Sequence, residues 1–418
     1  MNTKHGRHKS ICFITPGHLS SNPRLIKEAY AAANSGYEIT IICSQYLAVL
    51  VEFDKQLFQT NPLWKVNVVS WTGKTLSEKL LRFYTGLRNK IAGWLAVKTN
   101  AIWWIVMAQG RMHNELLKKA IAVPADLYIA HNLAALPIAI KAAQYHQAKA
   151  GFDAEDFHRG ELVDQDSWQS QLVKRIEDFY LPQVSYLTAA SPLISEAYQD
   201  LYPSLKAHVI NNVFSIKDRP LRLKCSNRQS LHLFWFSQTI GTNRGIEDAI
   251  QAIGATRKSD IYLHLLGFCT EAMKTYLKNL SADQGLAADQ LVFMPVVAPD
   301  QLVAISSHFD IGLALEPGFS VNNDIALSNK ILTYVLAGNA IIASNTRGQA
   351  AFMKRYPEIG KIYRIGNIEA FTNQIMYFYE NREALHECRR KAWELGLRKL
   401  NWEREQTKFL TLLELVLS

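Results

Sequence analysis

The densest group of chemically useful side chains lies within residues 310–344. A buried strand is predicted to end at Glu316, a loop rich in Gly and Asn follows, and Ser328 is a suitable cap for a helix that ends near Gly338. This pattern brings a carboxylate, flexible backbone and the positive end of a helix dipole to one sheet edge, where a diphosphate would fit. Lys330 in the first helical turn is unfavourable for the helix itself, which favours an anionic ligand there. The alternative is a solvent-facing lysine on an ordinary helix.

Other matches to catalytic motifs fail on their context. Gly73-Lys74-Thr75 resembles the end of a Walker loop, but Val68 occupies the position of the required upstream glycine. Asp164-Gln165-Asp166 spells the DxD of metal-dependent sugar transferases, yet it lies in a polar stretch that predicts a helix start. No GxGxxG follows the first strand of either half, so a dinucleotide cofactor has no support. We predict neither a metal nor a bound cofactor.

The elements that position these residues alternate between short apolar strands and helices. The chain opens with a predicted strand over 10–15, a helix over 23–36 capped by Asn22, with Pro23 in its first turn, and a strand over 37–44. Further strands are predicted at 65–70, 127–130, 149–154, 185–190, 231–237, 261–267, 291–295, 310–316 and 339–344, with later helices starting near Arg244, Glu271, Pro299 and Ser328. This alternation indicates two doubly wound parallel sheets, with a linker in the polar stretch 215–230.

The composition describes a folded protein with a local excess of positive charge. The length of 418 residues suggests two or three domains, and the apolar fraction of 48% excludes extended disorder as the main state. Its 5 cysteines are odd in number and widely spaced, which favours a reducing, cytoplasmic compartment. The net charge is +9, but nine basic and two acidic residues lie within 74–119, and Lys4, Arg7 and Lys9 add to it. The rest of the chain is nearly neutral, and no motif of a nucleic-acid-binding fold accompanies the charge.

The basic segment 74–119 also contains Phe83, Trp94, Trp103 and Trp104 at helical spacings. One interpretation is a surface that meets anionic lipid and a lipid-linked acceptor. The other is that the aromatic residues are core and the basic residues form a solvated face. No apolar run approaches the roughly 20 residues of a membrane-spanning helix, and the run after the basic N-terminus is too short for a signal peptide.

A series of motifs in a characteristic order extends over most of the chain. They are SSNPR after the first strand, ADLYIAHN near residue 130, HVINN near 210, FWFSQTIGTNRGIEDAI, the Glu316 to Gly338 region with NKILTYVLAG, and NWE near the end. Together they resemble GT-B glycosyltransferases of the family 4 (group 1) type. The resemblance implies two Rossmann-like lobes, over 1–205 and 206–390, and a helix over 391–418 that crosses back to the first lobe. It also implies retaining, metal-independent transfer of a sugar from a nucleoside diphosphate to a glycan or glycolipid acceptor.

The resemblance assigns donor-side roles in the second half. A basic pair clamps the donor phosphates in the family; Arg244 matches its second member, whereas the first falls on the neutral Gln238. Glu316 resembles the glutamate that contacts the donor sugar, and Thr333 stands where a second glutamate would hold the ribose. The remaining expected donor-side residues are Phe319, Ser328, Asn329 and Lys330, together with Gly17 in the loop after the first strand of the chain.

In the first half, His131 matches a family histidine near the reacting sugar and is expected to be catalytic together with Glu316. The polar residues His18, Asn22, Asp153, Glu155 and His158 are expected on the acceptor side. The departures at Gln238 and Thr333 leave open a non-catalytic, membrane-associated binding protein. A sugar-nucleotide epimerase on the same fold is the other alternative, because function depends on the site rather than the fold.

Overall fold

The computed structural model describes residues 9–223 and 229–418. The chain divides into two compact units, one formed by Met1–Ile210 with Gln406–Ser418 and the other by Asn211–Glu405. Lys4, Arg7, Cys225 and part of the predicted linker lie outside the described residues. The described cysteines, Cys12, Cys43, Cys269 and Cys388, are free thiols.

The first unit is built on a sheet of seven parallel strands. They are β1 (Ser10–Ile14), β2 (Glu38–Gln45), β3 (Lys65–Ser70), β4 (Leu127–His131), β5 (Lys149–Ala154), β6 (Tyr186–Ala189) and β7 (Ala207–Val209). Their order is β3-β2-β1-β4-β5-β6-β7, so the strand order reverses between β1 and β4. The apolar residues of β1 are fully buried, as expected for a parallel strand covered on both faces.

The helices of this unit connect the strands as crossovers. They are α1 (Pro23–Asn34), α2 (Val51–Thr60), α3 (Leu76–Thr99), α4 (Ile102–Gln109), α5 (His113–Ile121), α6 (Leu136–His146), α7 (Trp168–Tyr180) and α8 (Pro192–Leu201). The predicted start of α1 is confirmed, since the Asn22 side chain accepts a hydrogen bond from the Leu25 amide at 3.0 Å and Pro23 is the first helical residue.

The second unit contains six parallel strands in the order β10-β9-β8-β11-β12-β13. They are β8 (Leu231–Thr239), β9 (Ile261–Phe268), β10 (Leu291–Met294), β11 (Ile311–Ala314), β12 (Ala340–Ser344) and β13 (Gly360–Tyr363). Here the strand order reverses between β8 and β11. The two doubly wound sheets confirm the predicted pair of Rossmann-like lobes.

The second group of helices completes the chain. They are α9 (Ile246–Thr256), α10 (Glu271–Asp283), α11 (Leu302–Ser306), α12 (Val321–Ile325), α13 (Asn329–Ala337), α14 (Arg347–Arg355), α15 (Ile368–Glu380), α16 (Arg382–Arg398) and α17 (Trp402–Leu417). The α9 helix begins after the predicted Arg244, because Gly245 adopts a left-handed conformation with φ 74° that the first residue of a helix does not take. No described helix is long and apolar enough to cross a membrane.

Candidate active site

Glu316 lies just beyond β11, beside the reversal point of the second sheet, where ligands bind in doubly wound folds. Its Oε1 accepts hydrogen bonds from Lys330 Nζ and Ser328 Oγ, both at 2.7 Å, and its Oε2 accepts one from Asn323 Nδ2 at 3.3 Å. The structure therefore brings Glu316, Ser328 and Lys330 together.

The charge of Glu316 is stabilised by its neighbours. Burial alone would disfavour the carboxylate, but the Lys330 ammonium and the hydrogen bonds from Ser328 and Asn323 lower the pKa of Glu316 to about 2. The position of Lys330 in the first helical turn predicted an anionic ligand for its charge, whereas the structure places Glu316 beside it. An incoming anion would share this lysine with the glutamate.

The α13 helix is fixed against the sheet by an aromatic side chain. The Tyr334 ring packs over Gly312 of β11 so closely that a Cβ at position 312 would lie 2.2 Å from the ring. The Tyr334 hydroxyl lies 3.0 Å from the Leu313 carbonyl oxygen and 3.1 Å from that of Phe234. Sequence reasoning missed Gly312 and treated Tyr334 only as part of a motif. Their contact holds the α13 N-terminus at the sheet edge.

The other predicted residues of α13 and its preceding loop differ in their exposure. Ser328 is the N-cap, with its hydroxyl 3.4 Å from the Lys330 amide, and Asn329 and Phe319 are exposed. Thr333 is fully buried and donates its hydroxyl to the Asn329 carbonyl at 3.0 Å. The Thr333 hydroxyl therefore forms its hydrogen bond within α13.

Arg244 lies in the loop that follows β8, on the other side of the same reversal point. The Arg244 side chain is exposed and donates to Ser237 Oγ at 3.1 Å, and Gln238 at the end of β8 is exposed as well. A Cβ at Gly245 would lie 2.7 Å from the Leu315 side chain, so only glycine permits this close approach. Leu315 immediately precedes Glu316, and Gly245 thus packs the Arg244 loop against the strand end that carries the glutamate.

In the first unit, a buried cluster of charged residues joins α1 to the ends of β4 and β5. His131 Nε2 lies 3.3 Å from Glu28 Oε2, and its Nδ1 lies 3.3 Å from Asp153 Oδ2 and 3.6 Å from Glu155 Oε1. Arg24 donates a hydrogen bond to each Asp153 oxygen, from Nε to Oδ2 at 2.8 Å and from Nη2 to Oδ1 at 2.6 Å. Among these five residues, Glu155 is partly exposed and the other four are buried.

The charges of this cluster depend on one another. Burial opposes a charged imidazole, but Glu28, Asp153 and Glu155 raise the pKa of His131 well above its usual value. Burial likewise opposes ionisation of Asp153, yet the Arg24 guanidinium and His131 hold the pKa of that carboxyl far below its usual range. The pKa of Glu28 is raised by burial and by Asp153. The imidazole is therefore held in its cationic form.

The ligand atoms of Glu28, His131 and Asp153 all lie within 4.8 Å of one another, as a metal site would require. Arg24, however, already occupies both carboxylate oxygens of Asp153, and its Nη1 donates to the Ile210 carbonyl at 2.7 Å. A guanidinium so close would repel a divalent ion. The donor set therefore fits an internal ion-pair network better than a metal centre.

His18 anchors the loop between β1 and α1. Its Nδ1 lies 2.7 Å from Asp54 Oδ2, and its Nε2 accepts hydrogen bonds from the Tyr46 and Leu47 amides, both at 2.9 Å. The His18 ring is fully buried, and each of its nitrogens has a polar partner within the unit. A Cβ at Gly17 would meet its nearest neighbour at 3.8 Å, so this position has room for a side chain.

His158 belongs to a separate pair. Its Nδ1 lies 2.5 Å from Glu161 Oε1. Burial opposes its charge, but Glu161 and the acidic groups nearby raise the pKa of His158. The structure therefore brings Asp153 and Glu155 to His131 and holds His158 with Glu161.

A cavity of about 260 Å³ opens at the carboxyl edge of the first sheet and is lined by residues that include Pro16, Trp71, Arg111, His113 and Asn132. Pro16 follows β1 and Asn132 follows β4, so the cavity lies at the reversal point of this sheet. Burial, together with the positive charges of Lys141 and Arg88, lowers the pKa of His113 to about 3 and keeps it neutral. Sequence reasoning missed His113, because nothing in its helical context distinguishes it from a core residue.

Solved structures share this architecture along nearly their whole length. HepE from Anabaena, solved with UDP, has a TM-score of 0.66 at 13% identity, covering 97% of this chain and 99% of HepE. A sucrose-phosphate synthase from Thermosynechococcus elongatus gives 0.69 at 15% identity, covering 98% and 99%. A glycosyltransferase from Rickettsia africae gives 0.66 at 14% identity, covering 99% and 100%.

The chain has the GT-B fold. No protein-family model matches the sequence, and no curated protein sequence matches it. The structural likeness thus confirms the predicted GT-B architecture at sequence identities where side chains have largely diverged.

Proposed function

We propose that this protein transfers a hexose from a nucleoside-diphosphate sugar to a hydroxyl group of a glycan or glycolipid acceptor. The observation that carries the proposal is the convergence of Glu316, Ser328 and Lys330 at the N-terminus of α13, with the exposed Arg244 loop packed beside it through Gly245. HepE, which has the same fold, has been solved with UDP and with UDP-glucose.

In this proposal the protein's own cations stabilise the leaving diphosphate. Lys330, Arg244 and the positive end of the α13 dipole supply positive charge where negative charge develops, and transfer therefore proceeds without a metal. Gln238 and Asn329, both exposed, supply hydrogen-bond donors. The ionised Glu316 accepts hydroxyl hydrogen bonds from the donor sugar, and the exposed Phe319 contacts the same ligand.

On the acceptor side, the proposal assigns His131 an indirect contribution. Because its ring is fully buried, the imidazolium acts through Glu155, whose Oε1 lies 3.6 Å from His131 Nδ1 and whose side chain is partly exposed. Retention of configuration and the family 4 type are proposed from the motif resemblance. A cytoplasmic site of action at the inner face of a membrane, in polysaccharide or glycolipid assembly, completes the proposal.

A thermal-shift screen of nucleoside diphosphates and their sugars tests the proposal most directly. A ligand that binds only the folded state at 100 times its Kd stabilises it by about 2.7 kcal/mol. We expect at least one nucleoside diphosphate to raise Tm, and its sugar form to be consumed only when an acceptor is present. Interconversion of the free nucleotide sugar without an acceptor would instead identify an epimerase. Absence of any shift with uridine, guanosine and adenosine diphosphates would refute the donor site.

A further inference from the structure

The α3 helix turns its small residues inward and its large apolar residues outward. Thr85, Ala92 and Ala96 are buried against the unit. On the opposite side, a stripe of large apolar side chains is exposed, formed by Leu76, Leu80, Phe83, Leu87, Ile91 and Trp94. Phe83 is 74% exposed and Trp94 is 63% exposed. The spacing of three and four residues places the stripe along one face of a helix about 36 Å long.

The structure thus distinguishes the two interpretations of segment 74–119, a lipid-facing surface and a segment whose aromatic residues belong to the core. Phe83 and Trp94 do not belong to the core, whereas the inward face of α3 makes specific contacts. Arg88 binds Glu115 through two hydrogen bonds of 2.8 and 2.7 Å, and Asn89 donates to the Met107 carbonyl at 2.8 Å. The helix is therefore firmly attached through one side and leaves an apolar face exposed, a feature typical of an interaction surface.

The charge around the stripe is positive. Lys79, Arg82, Lys90 and Lys98 are exposed on the same helix. The two acidic residues of the segment are engaged elsewhere: Glu78 accepts hydrogen bonds from Ser70 and Thr72 at 2.5 and 2.7 Å, and Glu115 is held by Arg88. An apolar stripe flanked by cations is complementary to a membrane whose headgroups are anionic.

We propose that the outward face of α3 docks on an anionic lipid bilayer, with the helix lying parallel to the surface. The stripe inserts among the lipid acyl chains, and the flanking lysines meet the headgroups. A second copy of the chain is disfavoured as the occupant, since two such faces would bring their cations together. This inference specifies how the proposed transferase meets a lipid-linked acceptor, but lipid binding itself does not depend on nucleotide chemistry.

Flotation with phosphatidylcholine vesicles, with and without phosphatidylglycerol, tests the docking surface in the full chain. We expect binding only with phosphatidylglycerol, weakened by salt, and reduced about tenfold or more in the Phe83→Ser/Trp94→Ser double variant. The matched control is Leu63→Ser/Tyr145→Ser, which removes two residues that are 84% and 67% exposed elsewhere in the same unit and is expected to bind as the wild type does.

Three outcomes would overturn the inference. They are failure to bind either vesicle, equal losses in both double variants, and a wild-type dimer that Phe83→Ser/Trp94→Ser converts to a monomer. The last outcome would assign the stripe to a second copy. Because these measurements use no nucleotide, their failure is distinguishable from failure of the donor site in the thermal-shift screen.

Discussion

Lys330 and Glu316 form a hydrogen-bonded ion pair, with 2.7 Å between Nζ and Oε1, at the N-terminus of α13. The pair is internally neutral, whereas the side chain of Arg244, in the loop packed beside it, is exposed. A diphosphate would meet Arg244 first and share Lys330 with the glutamate.

The pair makes stability depend on pH in a defined direction. The pKa of Glu316 is lowered from about 4.5 to about 2, which corresponds to a contribution of up to about 3 kcal/mol. Because the pKa is depressed in the folded state, this stability is present above pH 4.5 and is lost as the pH falls towards 2. Lys330→Met should therefore lower the free energy of unfolding at pH 7 and have little effect near pH 2.

Denaturant titrations of both proteins from pH 7 to 2 measure this difference. Lys274→Met is the matched control, since it breaks a pair with the exposed Glu271 in the same unit and should change stability little. A difference between wild type and Lys330→Met that stays constant with pH would contradict the assigned role of Lys330.

Arg244→Ala should weaken nucleoside-diphosphate binding about tenfold or more, because it removes a charged hydrogen-bond donor from the proposed phosphate site. Titration calorimetry with the diphosphate found by thermal shift provides the measurement. Arg257, exposed at the opposite end of α9, gives the matched control, and Arg257→Ala should leave Kd unchanged. Equal losses in the two variants would point to a general effect of net charge.

Gln238→Lys should strengthen nucleoside-diphosphate binding about fivefold, as expected for one added exposed charge interaction. The gain should shrink at high ionic strength, because exposed charges are screened by salt. Gln238→Leu, which adds no charge, should not produce it. If Gln238→Lys leaves the affinity unchanged at low salt, Gln238 does not occupy the phosphate-binding position.

Arg24→Met should destabilise the first unit by about 3–5 kcal/mol, because it removes the guanidinium that binds both oxygens of the buried Asp153 carboxylate. Urea unfolding gives the measurement. Lys65→Met serves as the control, since it removes an exposed pair with Glu38 and should cost less than about 1 kcal/mol. Similar costs for the two variants would show that the Arg24 network is not needed for folding.

His131 should remain an imidazolium at pH 7, because the surrounding carboxylates raise its pKa. A raised pKa in the folded state means that this stabilisation is complete below the unfolded pKa near 6.5 and is lost as the pH rises through the folded value. Nitrogen chemical shifts of the labelled ring report its protonation directly. A ring that is neutral at pH 7 would disprove the cationic assignment.

Local patterns in the sequence were sufficient to predict most of the sheets. The strand predicted at 65–70 matches β3, a run of β-forming residues, and the strand predicted at 149–154 matches β5, which lies between two helices. The cap at Ser328 was predictable for the same reason, whereas β11 ends at Ala314, two residues before the predicted strand end at Glu316. The short β13 was not predicted, since four residues carry little periodic signal.

These local patterns could not predict contacts between residues that are far apart in the sequence. Arg24 and Asp153 are 129 positions apart, and nothing local indicates that a helix-surface arginine would turn inward to a strand end. The pairing of Lys330 with Glu316 likewise required the loop between them to fold back. The sequence also allowed either side of α3 to face the core, and only packing distinguishes Ala92 from Trp94.

The α17 helix limits how the chain can be cut into fragments that correspond to its two units. Its first residues belong to the second unit, whereas residues from Gln406 onwards belong to the first, where Lys9 Nζ donates to the Leu417 carbonyl at 3.0 Å. A single cut near residue 210 therefore separates the N-terminal fragment from its own last helix.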